Sequence, residues 1–482
     1  MFTTYRALSK HLFYLIGYLF LLPSNLVGQP TNPTVVAGEA IFNHNPAQST
    51  YTVTTTTERT IIDFETFSLD LGELTYIDQP DPLTSIILIR ISSNEISTLS
   101  GYLFSNASIY FVNPNGVIIG PRGICQATQT LISTLDLSSN QDFLDNTPLT
   151  FAGSSLATID NQGYIEGRGY LTSLIGKFLL NSGTLVSSSG NIEIGAAISV
   201  TLDPTTYQLT INPAEPMTPA GTGVTNPGDI VGTHVDILAD GPLYTDGIDH
   251  SGQIDGKAAM TADGHVILNA LGGTTQLNSG SISSIGTHNV GGAIQVLGSF
   301  VTLTGQTELI TEGLSSGGPI FIGGSMGGLD PTIANAATTL VEPDVVIRAS
   351  ALAQGNGGDV SIFGTTSATF QGTIYTKGGG QSGNGGNVEI SQNPTFAGTV
   401  IQTALHGETG ILTLDPVVMT LMTTREGGSC LSEKELNSAL HNSPVVIKSE
   451  KIVLEAPLCP KGSYPLRLCG GEGIFFNREA KE

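Results

Sequence analysis

Tryptophan is absent from this sequence, and only 12% of its 482 residues are charged. Helical proteins usually cover their outer faces with Lys, Arg and Glu, so the scarcity argues against a helical enzyme. Positive charge is scarcest, with 18 basic residues against 41 acidic ones and a formal charge of −23. No basic patch is available to release counterions, so nucleic acid and anionic membrane surfaces are excluded as expected partners. Four cysteines in a chain this long do not make a disulfide scaffold. Cys125, in a strand-like run, reads as a small buried apolar residue. Cys459 and Cys469 stand close enough to pair around CPKGSYPLRLC, which would leave Cys430 odd. No nucleophile elbow, phosphate loop or Cys/His metal spacing occurs, so neither cofactor nor metal is expected.

What the chain does hold is glycine, 60 residues of it, and many short apolar runs. Residues 1–28 read as an export signal. Arg6 and Lys10 form a positive start, and Leu12–Leu22 an apolar stretch of secretory length, with cleavage expected near Gly28. The alternative is an uncleaved anchor. Next come strand-like segments. Tyr51–Thr57 is β-prone but carries little apolar content, which suits a covering or edge strand. Thr60–Leu69 follows, and Ser85–Ile91 (SIILIRI) is apolar almost throughout, as in a strand buried on both faces.

The central feature is Ser108–Gly123, SIYFVNPNGVIIGPRG, in which two apolar runs flank Asn113-Pro114-Asn115-Gly116. Pro114 presets φ at the first central position of a β-turn, and Asn113 suits the position before it. Asn115 tolerates bridging or left-handed backbone, and Gly116 closes the turn without steric cost. Short strands ended by Gly or Asn then continue to about residue 196, with no helical period among them.

From about 220 to 415 the sequence repeats. Gly pairs introduce short apolar strands at 291, 317, 357 and 385, at spacings of 26, 40 and 28 residues. A unit of this size with Gly corners reads as one coil of a parallel β-helix, and the uneven spacing favours that over an array of β-sandwiches. The 40-residue gap fits a coil carrying a loop over Ser325–Thr339. Gly355–Asp359 and Gly383–Asn387 lack the spacing of Ca²⁺-binding nonapeptides and read as corners. Thr413-Leu-Asp-Pro is expected to end the coils. Ser432-Glu-Lys-Glu435 then forms a capping box opening a helix to about Leu440, followed by two strands, Ser443–Ile447 and Lys451–Leu454.

The order IIDFETFSL, IDQP, SIILIRI, FVNPNGVIIGPRG, TLISTLDLSSNQDFL, IDNQGYIEG and LLNSGTLVSSSGNIEIGAA resembles, block by block over residues 50–200, the secretion domain of filamentous-haemagglutinin-like two-partner-secretion exoproteins. The chain departs from that family at Phe64, where Trp is usual, and at Ile89, where Asn is usual. An earlier Asn-Pro motif is reduced to Ser92–Ile96. The resemblance implies an all-β, right-handed parallel β-helix with N-terminal capping strands and a small C-terminal helix/strand segment. Its divisions would be a signal at 1–28, a secretion domain at 29–215, β-helix repeats at 216–415 and a C-terminal segment at 416–482. It further implies a non-enzymatic, adhesin-like bacterial exoprotein, reaching the cell surface or medium through the periplasm and an outer-membrane transporter of the two-partner type. Host-cell or surface glycan receptors would be its targets, and Asn113, Pro114, Asn115 and Gly116 its secretion motif.

Two other classes are weighed beside it. A haemolysin-type toxin of the same family is one. A β-helical polysaccharide lyase or hydrolase is the other, for which Asp246, Asp249, Asp255 and Asp263, with His250, His265 and Lys257, are the candidates. Such a site needs carboxylates aligned on neighbouring coils.

Overall fold

The computed structural model describes residues 28–214, 218–257, 263–416, 418–422, 430–454 and 461–476. The apolar stretch of the expected export signal and Cys459 lie outside these residues.

Nearly every element is a strand, and strands from successive turns of the chain pair in parallel, forming three ladders. The first runs from Arg59–Phe64 through Ile86–Ile91 and Ser108–Val112 to Leu412–Asp415. The second runs from Ser97–Leu99 through Val117–Ile119 to Pro394–Phe396. The third runs from Thr50–Thr55 through Leu74–Asp78 to Thr399–Ile401. This is a parallel β-helix, the architecture expected from the Gly-cornered repeats.

The physical basis is a period of two along each strand and a stack across strands. One inward column of the first ladder shows it: Ile62, Ile89, Phe111, Ile132, Leu174, Ile194, Ile237, Leu268, Val296, Ile322, Ile362, Ile390, Leu414 and Ile447 follow one another in register. All are buried in one continuous core. Where strands carry apolar residues on both faces, the outer face is covered too. Ile86, Leu88, Tyr110, Val112 and Leu131 point away from the coil into a second core. Its roof is an antiparallel sheet of Asp136–Leu137, Leu149–Ala152, Ser199–Leu202 and Leu209–Ile211. The unbroken apolar reading of SIILIRI and SIYFV thus reflects two cores, one on each side of the strand.

The Gly pairs sit at the corners, as expected, because successive turns approach too closely for a side chain. A Cβ at Gly318 would lie 1.9 Å from the Gly292 carbonyl oxygen, and one at Gly358 would lie 2.0 Å from that of Gly318. The expected loop is present: residues 323–337 join Ile320–Ile322 to Thr338–Val341, whereas in the next coil only 364–366 make that connection.

Four expectations need correction. Thr50–Thr55 is not the cover but the first rung of its ladder, with Tyr51, Val53 and Thr55 turned inward. The cover is Ala40–Asn45, antiparallel to it. A helix stands at Asn140–Asp145 where none was expected. Ser139 Oγ accepts from the Asp142 amide at 3.2 Å, and left-handed Asn146 ends it. The coils do not end at Asp415, since Leu412–Leu414 pairs in parallel with Val445–Ile447, and that strand pairs in parallel with Leu466–Phe476. The two strands expected after the second helix are one, Val445–Leu454, with a register break between Ser449 and Lys451. The capping box is as expected: Glu435 Oε2 accepts from the Ser432 amide at 2.9 Å, and the helix Glu433–Asn442 lays Leu436 and Leu440 on the core.

Candidate functional site

Asn113 to Gly116 occupy the corner that joins the first ladder to the second. Gly116 N donates to the Asn113 carbonyl at 3.1 Å, which closes the β-turn, and Gly116 takes φ +117°. Asn113 is wholly buried. Its Nδ2 donates to the Glu95 carbonyl at 2.9 Å and to Ser97 Oγ at 3.0 Å, and its Oδ1 accepts from the Asn115 amide at 2.9 Å. Asn115 Nδ2 donates to the Ser93 carbonyl at 2.8 Å. Both asparagines therefore tie their turn to the corner of the preceding coil, residues 92–97. That corner is the degraded motif Ser92–Ile96, so the two sequence features meet in space.

Pro114 faces solvent, and its carbonyl accepts from Ser155 Oγ at 2.5 Å. Ser155 belongs to the next corner and was not anticipated; nothing in its sequence surroundings distinguishes it. The turn itself is uncharged, and its exposed rim carries Ile96, 53% exposed, and Leu156, 68% exposed, beside the exposed Glu95. A Cβ on Gly116 would meet Ile96 Cγ1 at 3.8 Å and Ala157 Cβ at 3.5 Å. The arrangement offers no nucleophile or proton carrier. What it presents is a rigid corner with Ile96, Pro114 and Leu156 exposed beside Glu95.

Two arginines from the opening coils fix the roof beside it. Arg90 donates from Nε to Asp63 Oδ1 at 2.8 Å, from Nη2 to Asp63 Oδ2 at 3.2 Å and from Nη1 to Asn140 Oδ1 at 3.0 Å. Arg59 donates to the Phe143 carbonyl at 2.8 Å and to Asn146 Oδ1 at 2.7 Å, with its guanidinium 5.4 Å from the Phe143 ring centroid. Both departures noted in the sequence are packed inside. Phe64 stacks edge-on with Phe67 at 5.2 Å between ring centroids, and Ile89 continues the apolar column. Cys125 is buried as expected, and burial pushes its thiol up to about 12.

The acidic candidates do not converge. Asp246 and Asp249 lie on the second ladder, accepting from Gln276 and Asn278 at 2.6 Å each. Asp255 lies on the third, paired with Lys257 at 3.0 Å. His265 is on the first, 3.1 Å from Asp236. His250 points into the core, where its Nδ1 meets Asn226 Nδ2 at 2.9 Å. Three sides of the coil hold what a lyase would need on one.

A family model for the TPS secretion domain matches residues 28–197. The crystal structure of the HMW1 secretion domain from Haemophilus influenzae aligns with TM-score 0.66 and 25% identity, covering 78% of this chain and 100% of that one. Residues 28–197 are a TPS secretion domain. That domain is headed by capping strands and roofed by the antiparallel sheet. The likeness to the HMW1 domain runs further along the chain than the family model does. The heme/hemopexin-binding protein of Haemophilus influenzae is 31% identical over 108 residues, which is 22% of this chain and 12% of that protein. The filamentous hemagglutinin secretion domain aligns at 12% identity over 65% of this chain and 96% of that one, with TM-score 0.38, too slight a likeness to bear on the fold.

Proposed function

We propose that this chain is an adhesin-like, non-enzymatic exoprotein that reaches the cell surface or medium through an outer-membrane partner transporter, after a signal at residues 1–28 has taken it to the periplasm. The observation that carries the reading is the corner at Asn113–Gly116, a locked, uncharged turn inside the secretion domain with Ile96, Pro114 and Leu156 exposed around it. Exposed apolar side chains on a rigid corner suit docking by a protein module better than they suit chemistry. We place the end of the export module at about residue 215, just after the roof closes at Ile211, with coils from 216 onward beyond it that continue through Val445–Leu454 to Leu466–Phe476. Folding outside the cell then proceeds coil by coil, each rung templating the next.

The test is co-expression with an outer-membrane transporter of the two-partner type, reading the chain in the medium. Asn115→Ala, Leu156→Asp and deletion of Ser108–Gly123 should each lower export. Normal export of all three would end the assignment. The lyase alternative gains nothing from the scattered carboxylates. Release of unsaturated sugars from an acidic glycan, lost on Asp255→Ala, would revive it.

A further inference from the structure

The outer face of the third ladder carries two shallow clefts that meet at one ion pair. The first, about 390 Å³, is lined by Asp229, Gln253, Ser281 and Glu308 among others. The second, about 370 Å³, is lined by Glu312, Arg348, Leu352, Tyr375 and Lys377 among others. Arg348 Nε donates to Glu308 Oε1 at 2.6 Å and so joins them.

Positive charge is rare in this chain, yet two cations converge here on one ring. The Arg348 guanidinium carbon lies 5.0 Å from the Tyr375 centroid, and Lys377 Nζ lies 5.3 Å from it. In register, Arg348 and Tyr375 are neighbours on successive rungs. Among the described residues Lys377 Nζ makes no ion pair, and only the Nε of Arg348 is engaged with Glu308. Both keep donors for a ligand. Glu312 is half-buried; burial raises its pKa, which Arg348 and a hydrogen bond with Ser350 counter. Leu352, 54% exposed, gives an apolar wall.

We propose that the second cleft binds a carboxylate-bearing sugar residue of an acidic saccharide. The planar carboxylate meets the free edge of the Arg348 fork, a geometry a carboxylate matches bidentately, and Lys377 adds a point charge. Glu312 accepts from ring hydroxyls, and Leu352 packs on the apolar face of the sugar. The adjoining cleft, lined by Asp229, Gln253, Ser281 and Glu308, takes the hydroxyls of neighbouring sugars. The proposal supplies a ligand class for the adhesin reading and depends on that reading only for its biological use.

The purified full chain is titrated calorimetrically with oligogalacturonate, with a neutral maltooligosaccharide of equal length and with a heparin-derived oligosaccharide. Binding of the galacturonate alone is expected, about tenfold weaker in Lys377→Gln and in Arg348→Lys, with unchanged melting temperatures for both variants. No galacturonate binding, equal binding of the neutral or sulfated sugar, or unaltered binding in both variants would overturn it. The titration involves neither transporter nor cells, so its failure is distinct from failed export or failed cell attachment.

Discussion

At the residue scale the two asparagines of the turn have different jobs. Asn113 is buried and holds five polar partners in place: three on its side chain, the Ser133 carbonyl on its amide at 2.9 Å and the Gly116 amide on its carbonyl. Asn113→Ala leaves Ser97 Oγ and the Glu95 carbonyl without their donor and should lower stability by about 1–3 kcal/mol in chemical denaturation. Asn115 is only partly buried, so Asn115→Ala should cost less stability, about 1 kcal/mol, while still lowering export. Equal destabilisation by both would mean the turn matters only as structure. His250 is the second residue with a testable role. It ends a buried ladder in which Asn161 donates to Asn181, Asn181 to Asn226 and Asn226 to His250 Nδ1, at 2.7, 2.7 and 2.9 Å. Burial depresses its pKa from 6.5 to about 4. The unfolded chain therefore takes up a proton below pH 6.5 that the folded one refuses until about pH 4. Stability from this group is complete above pH 6.5 and declines through that window, by about 3 kcal/mol in all. His250→Asn should flatten that part of the stability–pH curve; an unchanged slope would show that another group causes it.

At the element scale the short helix Asn140–Asp145 is held from outside itself. Six residues do not make a stable helix in water, so Arg59, Arg90 and the second core must hold it. Arg90→Ala removes the bidentate pair with Asp63 and the bond to Asn140. It should lower the unfolding free energy by about 1–3 kcal/mol, and amide exchange should quicken at 140–146 before it does in the first ladder. Uniform exchange would contradict the clasp. This helix also shows where the sequence was legible. Strands and corners announced themselves because coil-to-coil stacking imposes period two inside and Gly where backbones touch. The capping box at Ser432 was readable because Ser and Glu stood at the right interval. The Ser139 cap was equally present, but a one-turn helix has no apolar period, and its partners Arg59 and Arg90 lie far away in sequence. The roof was hidden for a related reason. SIILIRI disclosed burial on both faces, yet nothing local said that residues 136–152 and 199–211 would cover it. At the turn, Asn113–Gly116 was legible as a β-turn, whereas Ser155, Ser93 and the Glu95 carbonyl became its partners only through stacking of successive coils.

At the scale of the whole molecule, each coil rests on its two neighbours, so stability is close to a sum of rung and interface terms. The sum is uneven along the chain. Coils from Ile61 to about Ile211 are packed on the inner core and under the roof, Leu238 and Leu271 of the next two coils reach its margin, and the coils beyond have the inner core alone. The N-terminal coils are therefore expected to be the last to open and, in export, the first that can stand by themselves. Ile322 tests this. It lies in the inward column between Val296 and Ile362 and is fully buried. Ile322→Ala should cost about 2–5 kcal/mol, and the loss should stay local. Hydrogen exchange should rise in Val360–Phe363, Val388–Ser391 and Leu412–Asp415, while Ile86–Ile91 and Ser108–Val112 keep their protection. A variant that lost protection evenly from Arg59 to Leu414 would show one cooperative unit instead. Coil-by-coil folding from a roofed N-terminal block would then have to be given up, because the later coils would contribute as much to the early ones as they receive.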